Sequence, residues 1–250
     1  MSGHSKWHNI RLRKGKVDAQ RGALFTKLSK EIILAAKSGS PDPEANYRLK
    51  MTVDKARANN MPLDNIKRAI ARGAGPDAGK EIEEIRYEGY GPAGVAVIVD
   101  AATDNRNRTA AELRFLFSRH GGTLGESGSV AWMFEPRGLL DLETGSRSED
   151  DVTELVLLEG VVDLRYGEPS EIVTDPAALG AVRELLVKAG AHVSSMVLGV
   201  VAKTTVTPEA ADLAAVMAFL DALEEHEDVQ RVFSNLEVSD AQLEALASTA

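Results

Sequence analysis

In the first third of the chain, apolar residues recur every three to four positions, a spacing typical of helices that bury one face. The pattern predicts a first helix over 18–37, with Leu24 and Leu28 facing inward. Proline- and glycine-containing breaks follow, and two further helices are expected over 43–59 and 62–72. Three helices with short connections indicate a small helical bundle.

The same periodicity assigns individual residues to the faces of these helices. Lys27 and Lys30 lie off the apolar stripe and are expected on a solvated basic face of the first helix. Tyr47, Met51 and Ala56 are expected to face inward from the second helix. Gly73 is well placed to end the third helix, because glycine is common just past a helix C-terminus.

A Gly/Pro-rich stretch over 73–79 marks a predicted domain boundary, and the periodicity changes beyond it. Strands are expected over 82–88 and 95–101, followed by a helix over 108–120. The connection Gly89-Tyr-Gly-Pro-Ala-Gly94 has the glycine spacing of dinucleotide sites. Since a strand rather than a helix follows it, we expect a hairpin and no bound dinucleotide.

Residues 137–201 follow a β-α-β-β-α-β pattern, which is the split βαβ arrangement of ferredoxin-like domains. Within it, a helix is expected over 149–158. Trp132 and Phe134 precede it with strand spacing and are expected in the core. The other predicted elements are strands over 130–134, 138–142, 203–206 and 229–233, and a helix over 208–225. The predicted fold class is therefore multidomain α+β.

Charge is divided unevenly along the 250 residues, whose formal net charge is −9. Residues 1–75 contain 16 Lys and Arg against 6 Asp and Glu, a net charge of +10. Residues 76–250 contain 13 against 32, a net charge of −19. A basic part joined to an acidic body indicates a nucleic-acid partner for the basic part.

The most basic segment is the arm formed by residues 1–17, which contains no acidic residue and too few apolar residues to fold alone. Its cations suit phosphates, and its tryptophan can stack on a base. With the basic helices and one arginine-rich turn, it supplies the predicted nucleic-acid-binding residues: Lys6, Trp7, His8, Arg11, Arg13, Lys14, Lys16, Arg21, Lys27, Lys30, Lys67, Arg68, Arg72, Arg106 and Arg108.

The turn Thr103-Asp-Asn-Arg-Asn-Arg-Thr109 has two interpretations. Its arginines and the following helix N-terminus could bind phosphate or RNA. Its aspartate and asparagines could equally serve as turn and cap residues, and Thr109 and Glu112 have capping-box spacing. The acidic run Glu224-Glu-His-Glu-Asp228 is interpreted as a solvated turn.

Candidate catalytic and metal chemistry is sparse. The chain has no cysteine, which excludes disulfides and thiolate sites and fits a reducing cytoplasm. His4 and His8 could share a helical face, but no acidic residue lies within the arm to complete a metal site. No nucleophile is paired with a base along the sequence. We therefore predict a non-enzymatic protein without cofactor or metal, and no membrane span.

Five segments resemble the YebC family, and the resemblance covers nearly the whole chain. They are Gly3-His-Ser-Lys-Trp7, Ala19-Gln-Arg-Gly-Ala-Leu-Phe-Thr-Lys-Leu28, Asn60-Met-Pro-Leu-Asp-Asn-Ile66, Tyr87-Glu-Gly-Tyr-Gly-Pro-Ala-Gly-Val95 and Thr103-Asp-Asn-Arg-Asn-Arg-Thr109. The family includes probable transcriptional regulators that bind DNA, a mitochondrial translational activator, and members that relieve ribosome stalling at proline-rich stretches.

The resemblance implies three domains and a fold in which the third domain is inserted into the second. The expected limits are a basic helical domain over 1–78, an α+β domain over 79–133 plus 203–238, an inserted ferredoxin-like domain over 134–202, and a tail over 239–250. The expected partner is DNA or ribosomal RNA, with the ribosome as a further candidate, and the protein is expected to be a monomer or weak oligomer. An alternative is a protein-interaction module whose acidic body holds a basic partner.

Overall fold

The structure, a computed structural model, describes residues 19–75, 82–239 and 242, with side chains from residue 22. The described chain divides into two compact units. One is the continuous segment Phe134–Lys203, and the other combines the described residues on either side of it. The segment is thus inserted in the second unit, and the predicted fold class is confirmed. The three-domain limits given above stay a prediction.

Three helices open the larger unit: α1 (Ala19–Lys37), α2 (Tyr47–Ala58) and α3 (Leu63–Ala74). Their shared core includes Leu28, Ile32, Leu49, Val53 and Ile66. Of the three expected inward residues, Ala56 is confirmed as buried. Tyr47 and Met51 are only half-buried, because Leu49 and Val53 fill the interface instead.

Two predicted ends of these helices are also wrong. α2 begins at Tyr47 rather than near Pro43, because the Asn46 side chain accepts a hydrogen bond from the Leu49 amide and caps the helix there. Gly73 does not end α3 but lies inside it and is buried. A Cβ at Gly73 would lie 2.8 Å from the Ala36 Cβ, so this glycine allows α1 and α3 to approach closely.

The rest of this unit is a sheet with two helices on one face. Its elements are β1 (Glu83–Tyr90), β2 (Ala96–Thr103), α4 (Arg106–Arg119), β3 (Thr123–Leu124), α7 (Ala210–Glu225) and β8 (Val229–Ser234). All pairings are antiparallel in the order β3-β1-β2-β8, and the predicted β1–β2 hairpin is confirmed. The predicted strand over 203–206 is only an isolated bridge between Val206 and Leu236.

Strand β2 is buried on both faces, which accounts for its nearly continuous apolar sequence. On one face, Val97 and Val99 pack with α4 and α7 around Phe117 and Phe219. Ala102 belongs instead to the core of the three helices. The helical part and the sheet therefore form a single packed body.

One stretch of the larger unit departs from the predicted strands. The strand expected over 130–134 is mostly a 3-10 helix, Ala131–Met133. The strand expected over 138–142 is confirmed, as part of one longer strand, Phe134–Glu143. Because the 3-10 turn breaks the strand alternation, Trp132 is 66% exposed, and its assignment to the core is wrong. Phe134 is buried as expected.

The inserted unit contains, in chain order, β4 (Phe134–Glu143), α5 (Glu149–Leu155), β5 (Val161–Arg165), β6 (Ser170–Thr174), α6 (Leu179–Lys188) and β7 (His192–Ala202). The antiparallel sheet order is β5-β6-β4-β7, which confirms the ferredoxin-like prediction. Helix α5 ends three residues before its predicted end at Leu158. Both helices share one core with Leu140, Leu142 and Ile172.

Candidate nucleic-acid interface

Many of the predicted binding residues precede the described chain. Lys6, Trp7, His8, Arg11, Arg13, Lys14 and Lys16, together with His4, lie outside the described residues, and Arg21 is described only as part of the α1 backbone. Their roles stay predictions. The described part of the interface is therefore built from α1, α3 and the turn before α4.

Helix α3 presents three of the predicted cations. Lys67, Arg68 and Arg72 are all exposed, whereas Ile66 on the opposite side of the helix is buried. Arg68 bonds within its own helix, to the Asp64 carbonyl at 3.3 Å and to the Asn65 side chain. The amphipathic pattern of α3 thus places its charges in water, where phosphate groups can approach them.

The two lysines of α1 are placed differently. Lys27 donates to the Glu224 carbonyl, and Lys30 donates to the Asp228 carboxylate and, at 3.2 Å, to the Glu227 carbonyl. The expectation that both lie on a solvated basic face is wrong, because α1 packs against the β-sheet side of its unit. These lysines join α1 to the turn between α7 and β8.

The buried Asp228 carboxylate accepts hydrogen bonds from donors in two separate helices, α1 and α4. We call this group the Asp228 cluster: Lys30, Thr103, Arg108, Thr109 and Asp228. The Thr109 hydroxyl lies 2.6 Å and an Arg108 guanidinium nitrogen 3.1 Å from Asp228 Oδ2, while Lys30 binds Oδ1. The Thr103 hydroxyl lies 2.8 Å from that of Thr109.

Burial alone would raise the pKa of Asp228, but its hydrogen bonds from Lys30, Thr109 and Arg108 lower it to about 2. The carboxylate is therefore ionised at all ordinary pH values. An ionised, fully buried carboxylate needs this complete set of partners, because an unpaired charge in the interior is strongly unfavourable. The cluster thus locks α1, α4 and the α7–β8 turn together.

The cluster corrects two sequence interpretations. The acidic run ending at Asp228 is only in part a solvated turn, since Glu225 and Glu227 are exposed whereas the Asp228 side chain is 0% exposed. The capping box of Thr109 and Glu112 is also wrong, because Asn105 caps α4 by accepting from the Arg108 amide at 3.1 Å. Cap chemistry therefore accounts for this part of the turn, while a phosphate or RNA contact by the exposed Arg106 stays a prediction.

The sequence reasoning missed the role of Asp228 for a clear reason. Its partners Lys30 and Arg108 are 198 and 120 residues away along the chain. No local spacing links such residues. The available signal was weak. It was the turn between β2 and α4, whose many hydrogen-bonding side chains could serve either as phosphate contacts or as turn and cap residues.

Beside the cluster, Glu112, His226 and Asp228 bring three possible metal-ligand atoms within 4.8 Å of one another. The His226 ring already has two partners, because Nδ1 accepts from the Asp228 amide at 3.1 Å and Nε2 lies 3.0 Å from Glu112. Lys30 and Arg108 supply the positive charge that Asp228 requires. This arrangement favours a structural hydrogen-bond network over a cation site.

Lys27 gives this junction a measurable pH dependence. Burial lowers the pKa of Lys27 from 10.5 to about 8, although Glu224 partly opposes the change. Folding is therefore penalised below about pH 8, and the penalty disappears as the pH rises toward 10.5. We expect the free energy of unfolding to rise by about 1–2 kcal/mol from pH 7.5 to 9.5, relative to a Lys27→Met variant, in urea titrations.

The control is Lys67→Met, which removes an exposed lysine of the same bundle. Its stability should follow the wild-type pH curve. Parallel curves for the wild type and Lys27→Met would contradict the lowered pKa.

Among the described residues, no helix combines the length and apolar character needed to cross a bilayer.

Two family descriptions match the chain over almost its full length. Residues 5–76 match the N-terminal domain of TACO1/YebC proteins, and residues 82–236 match the second and third domains. The motifs that carried the resemblance lie within these ranges, apart from the first two residues of the opening motif.

Similar whole proteins occur in several bacteria. A probable transcriptional regulatory protein of Roseiflexus castenholzii is 49% identical, covering 99% of this chain and 100% of the relative. One of Moorella thermoacetica is also 49% identical, covering 98% and 99%. The crystal structure of a conserved hypothetical protein from Aquifex aeolicus has a TM-score of 0.82 and 44% identity, covering 90% of this chain and 93% of that one.

Proposed function

Because the chain belongs to the TACO1/YebC family, we propose that it is a non-enzymatic, nucleic-acid-binding regulator of gene expression. It would bind the phosphate backbone through its basic arm, residues 1–17, and through α3. It needs no cofactor and acts in the cytoplasm. The names of the bacterial relatives, probable transcriptional regulatory proteins, support the regulatory part of this proposal.

The observation that carries the proposal is the division of charge. Sixteen of the 29 Lys and Arg residues lie in residues 1–75, against 6 of the 38 Asp and Glu residues. Such a concentration attracts a polyanion, and the acidic remainder disfavours unselective binding over the whole surface. Lys67, Arg68 and Arg72 are among the exposed cations of the described helices in this basic region.

The Asp228 cluster supports a scaffold role for the acidic body. Residues 1–18 run directly into α1, and α1 is bonded to the body through Lys27 and Lys30. The point from which the arm enters α1 is therefore fixed relative to the exposed cations of α3. Because the arm and the α3 cations are attached to one body, a polymer held by the arm is already close to α3, and binding to both costs less entropy.

The chemistry of α3 bears on which polymer is bound. It exposes three cations, Lys67, Arg68 and Arg72, which suit phosphate contacts, and it exposes no asparagine or glutamine that could read an adenine edge. This favours structured RNA over a specific promoter sequence, and so favours action during translation. Crosslinking in cells with sequencing of both DNA and RNA distinguishes the two: enrichment of promoter DNA would contradict the RNA assignment.

Charge reversal in the arm tests the proposal directly. For Lys14→Glu with Lys16→Glu, we expect weaker binding to RNA and DNA alike, measured by fluorescence anisotropy across a salt series. The slope of log affinity against log salt is negative, and its magnitude should decrease by roughly 2. Two phosphate contacts are lost, and each contributes about 0.7–0.9.

The matched control is Lys188→Glu with Lys203→Glu, which changes the net charge equally on exposed residues of the inserted unit. Its salt slope should equal that of the wild type. Equal salt slopes for the wild type and both variants would show that the arm does not contact phosphate. Unchanged affinity after deletion of residues 1–17 would show the same.

A second candidate function follows from the net charge of −19 on residues 76–250. This body could hold a basic protein partner. Helix α5 supports the idea, since it exposes three consecutive acidic residues, Glu149, Asp150 and Asp151. Partners recovered with the full chain should survive nuclease treatment under this alternative and disappear under the main proposal.

A further inference from the structure

Two exposed aromatic side chains of the larger unit converge on a single backbone oxygen. The Trp132 indole nitrogen donates to the Ser129 carbonyl at 3.2 Å, and the Tyr90 hydroxyl donates to the same oxygen at 3.5 Å. Trp132 is 66% exposed and Tyr90 is 37% exposed. We call Tyr90, Trp132 and the Ser129 carbonyl between them the aromatic platform.

The loop beneath the platform is held by a buried carboxylate. Glu88, in β1, accepts the amide of Gly128 at 2.8 Å, that of Val130 at 2.9 Å and that of Ala131 at 2.7 Å. The Gly125 amide also donates to the Glu88 carbonyl at 2.8 Å. Burial would raise the pKa of Glu88, but the three amides lower it below its ordinary value, so the carboxylate remains ionised and bound.

The position of Trp132 follows from this anchoring. The bonds to Val130 and Ala131 hold the start of the 3-10 helix Ala131–Met133, and that turn directs the next residue outward. A tryptophan exposed to this extent gains little from burial, yet its indole nitrogen is fixed by a hydrogen bond. The polar atoms of both rings face the Ser129 carbonyl, and the exposed part of these side chains includes flat apolar ring surface.

We propose that the aromatic platform is a stacking site for unpaired bases of a single-stranded nucleic acid. Every base has a π-face, so stacking on a fixed aromatic ring needs no sequence-specific hydrogen bond. Holding the rings in place beforehand reduces the entropy lost on binding. The inference rests on the proposed function: the arm and α3 bind phosphates, while the platform, in the same packed unit, binds the bases.

Intrinsic fluorescence tests this contact, because the chain has only two tryptophans, Trp7 and Trp132. In a Trp7→Phe background, Trp132 is the sole indole. A twelve-residue oligothymidylate should quench its emission on binding. Inorganic polyphosphate, which offers phosphates without bases, should bind without quenching. Equal effects of the two polymers would overturn the proposal, as would quenching by an apolar peptide but not by the oligonucleotide.

Affinity measurements with variants provide the second test. Trp132→Ala should weaken oligothymidylate binding about five- to 150-fold, and Trp132→Phe should restore most of it, because one stacked base contributes that range. Both variants should bind polyphosphate as the wild type does. Unchanged oligonucleotide affinity in Trp132→Ala would overturn the platform alone, and a protein that binds neither polymer would overturn the proposed function as well.

Discussion

Replacing Asp228 with asparagine should lower the free energy of unfolding of the larger unit by about 3 kcal/mol at pH 7. The Asp228 side chain is fully buried and receives bonds from Lys30, Arg108 and Thr109. Asparagine keeps the size but removes the negative charge, so Lys30, which is 12% exposed, loses its counter-ion, and Arg108 loses one of its acidic partners. Urea unfolding followed by far-UV circular dichroism measures the change.

The sign of the pH dependence gives an independent check. Because the pKa of Asp228 in the folded protein is lowered from 3.8 to about 2, its stabilising contribution is complete above pH 3.8 and disappears as the pH falls through 2. The difference between the wild type and Asp228→Asn should therefore shrink on acidification.

The control is Asp104→Asn. Asp104 also pairs with Arg108, at 3.1 Å, but its side chain is 53% exposed. Water replaces such a partner easily, so the expected cost is under about 0.5 kcal/mol. If both variants unfold at the same urea concentration, the Asp228 cluster does not hold this unit together.

Replacing Phe219 with alanine should be the more destabilising change, with a loss of about 4 kcal/mol. Phe219 is fully buried in α7 and meets Phe117 of α4 edge to face, with ring centroids 4.9 Å apart. Its ring also fills the space beside Gly91, where a Cβ would overlap it. Truncation therefore leaves a cavity between both helices and the β1–β2 hairpin, in addition to losing the buried apolar surface.

Phe115→Ala is the matched control, since Phe115 lies on α4 but is 62% exposed. Its loss should change the stability by less than about 0.5 kcal/mol in the same urea experiment. A Phe219→Ala protein as stable as Phe115→Ala would show that this interface can collapse and fill the space.

Much of the fold could be read from the sequence, because helix and strand periodicity records which side of each segment meets the core. The stripe containing Leu28 predicted α1, and the β-α-β-β-α-β order predicted the inserted unit. The segments resembling the YebC family were sufficient to identify it. Net charge is a sum over residues, so the division into a basic first part and an acidic remainder could be counted from the sequence without a structure.

Burial and pairing of particular side chains depended on the tertiary structure. Trp132 has strand spacing, yet the Glu88 carboxylate anchors a 3-10 turn in which the Trp132 ring faces solvent. Lys30 lies off its apolar stripe, yet it meets an aspartate 198 residues away. Local periodicity describes how a segment is divided between apolar and polar faces. It contains no information about which distant segment covers each face, and the tertiary structure decided which cations pair with the buried Asp228 carboxylate and which are exposed on α3.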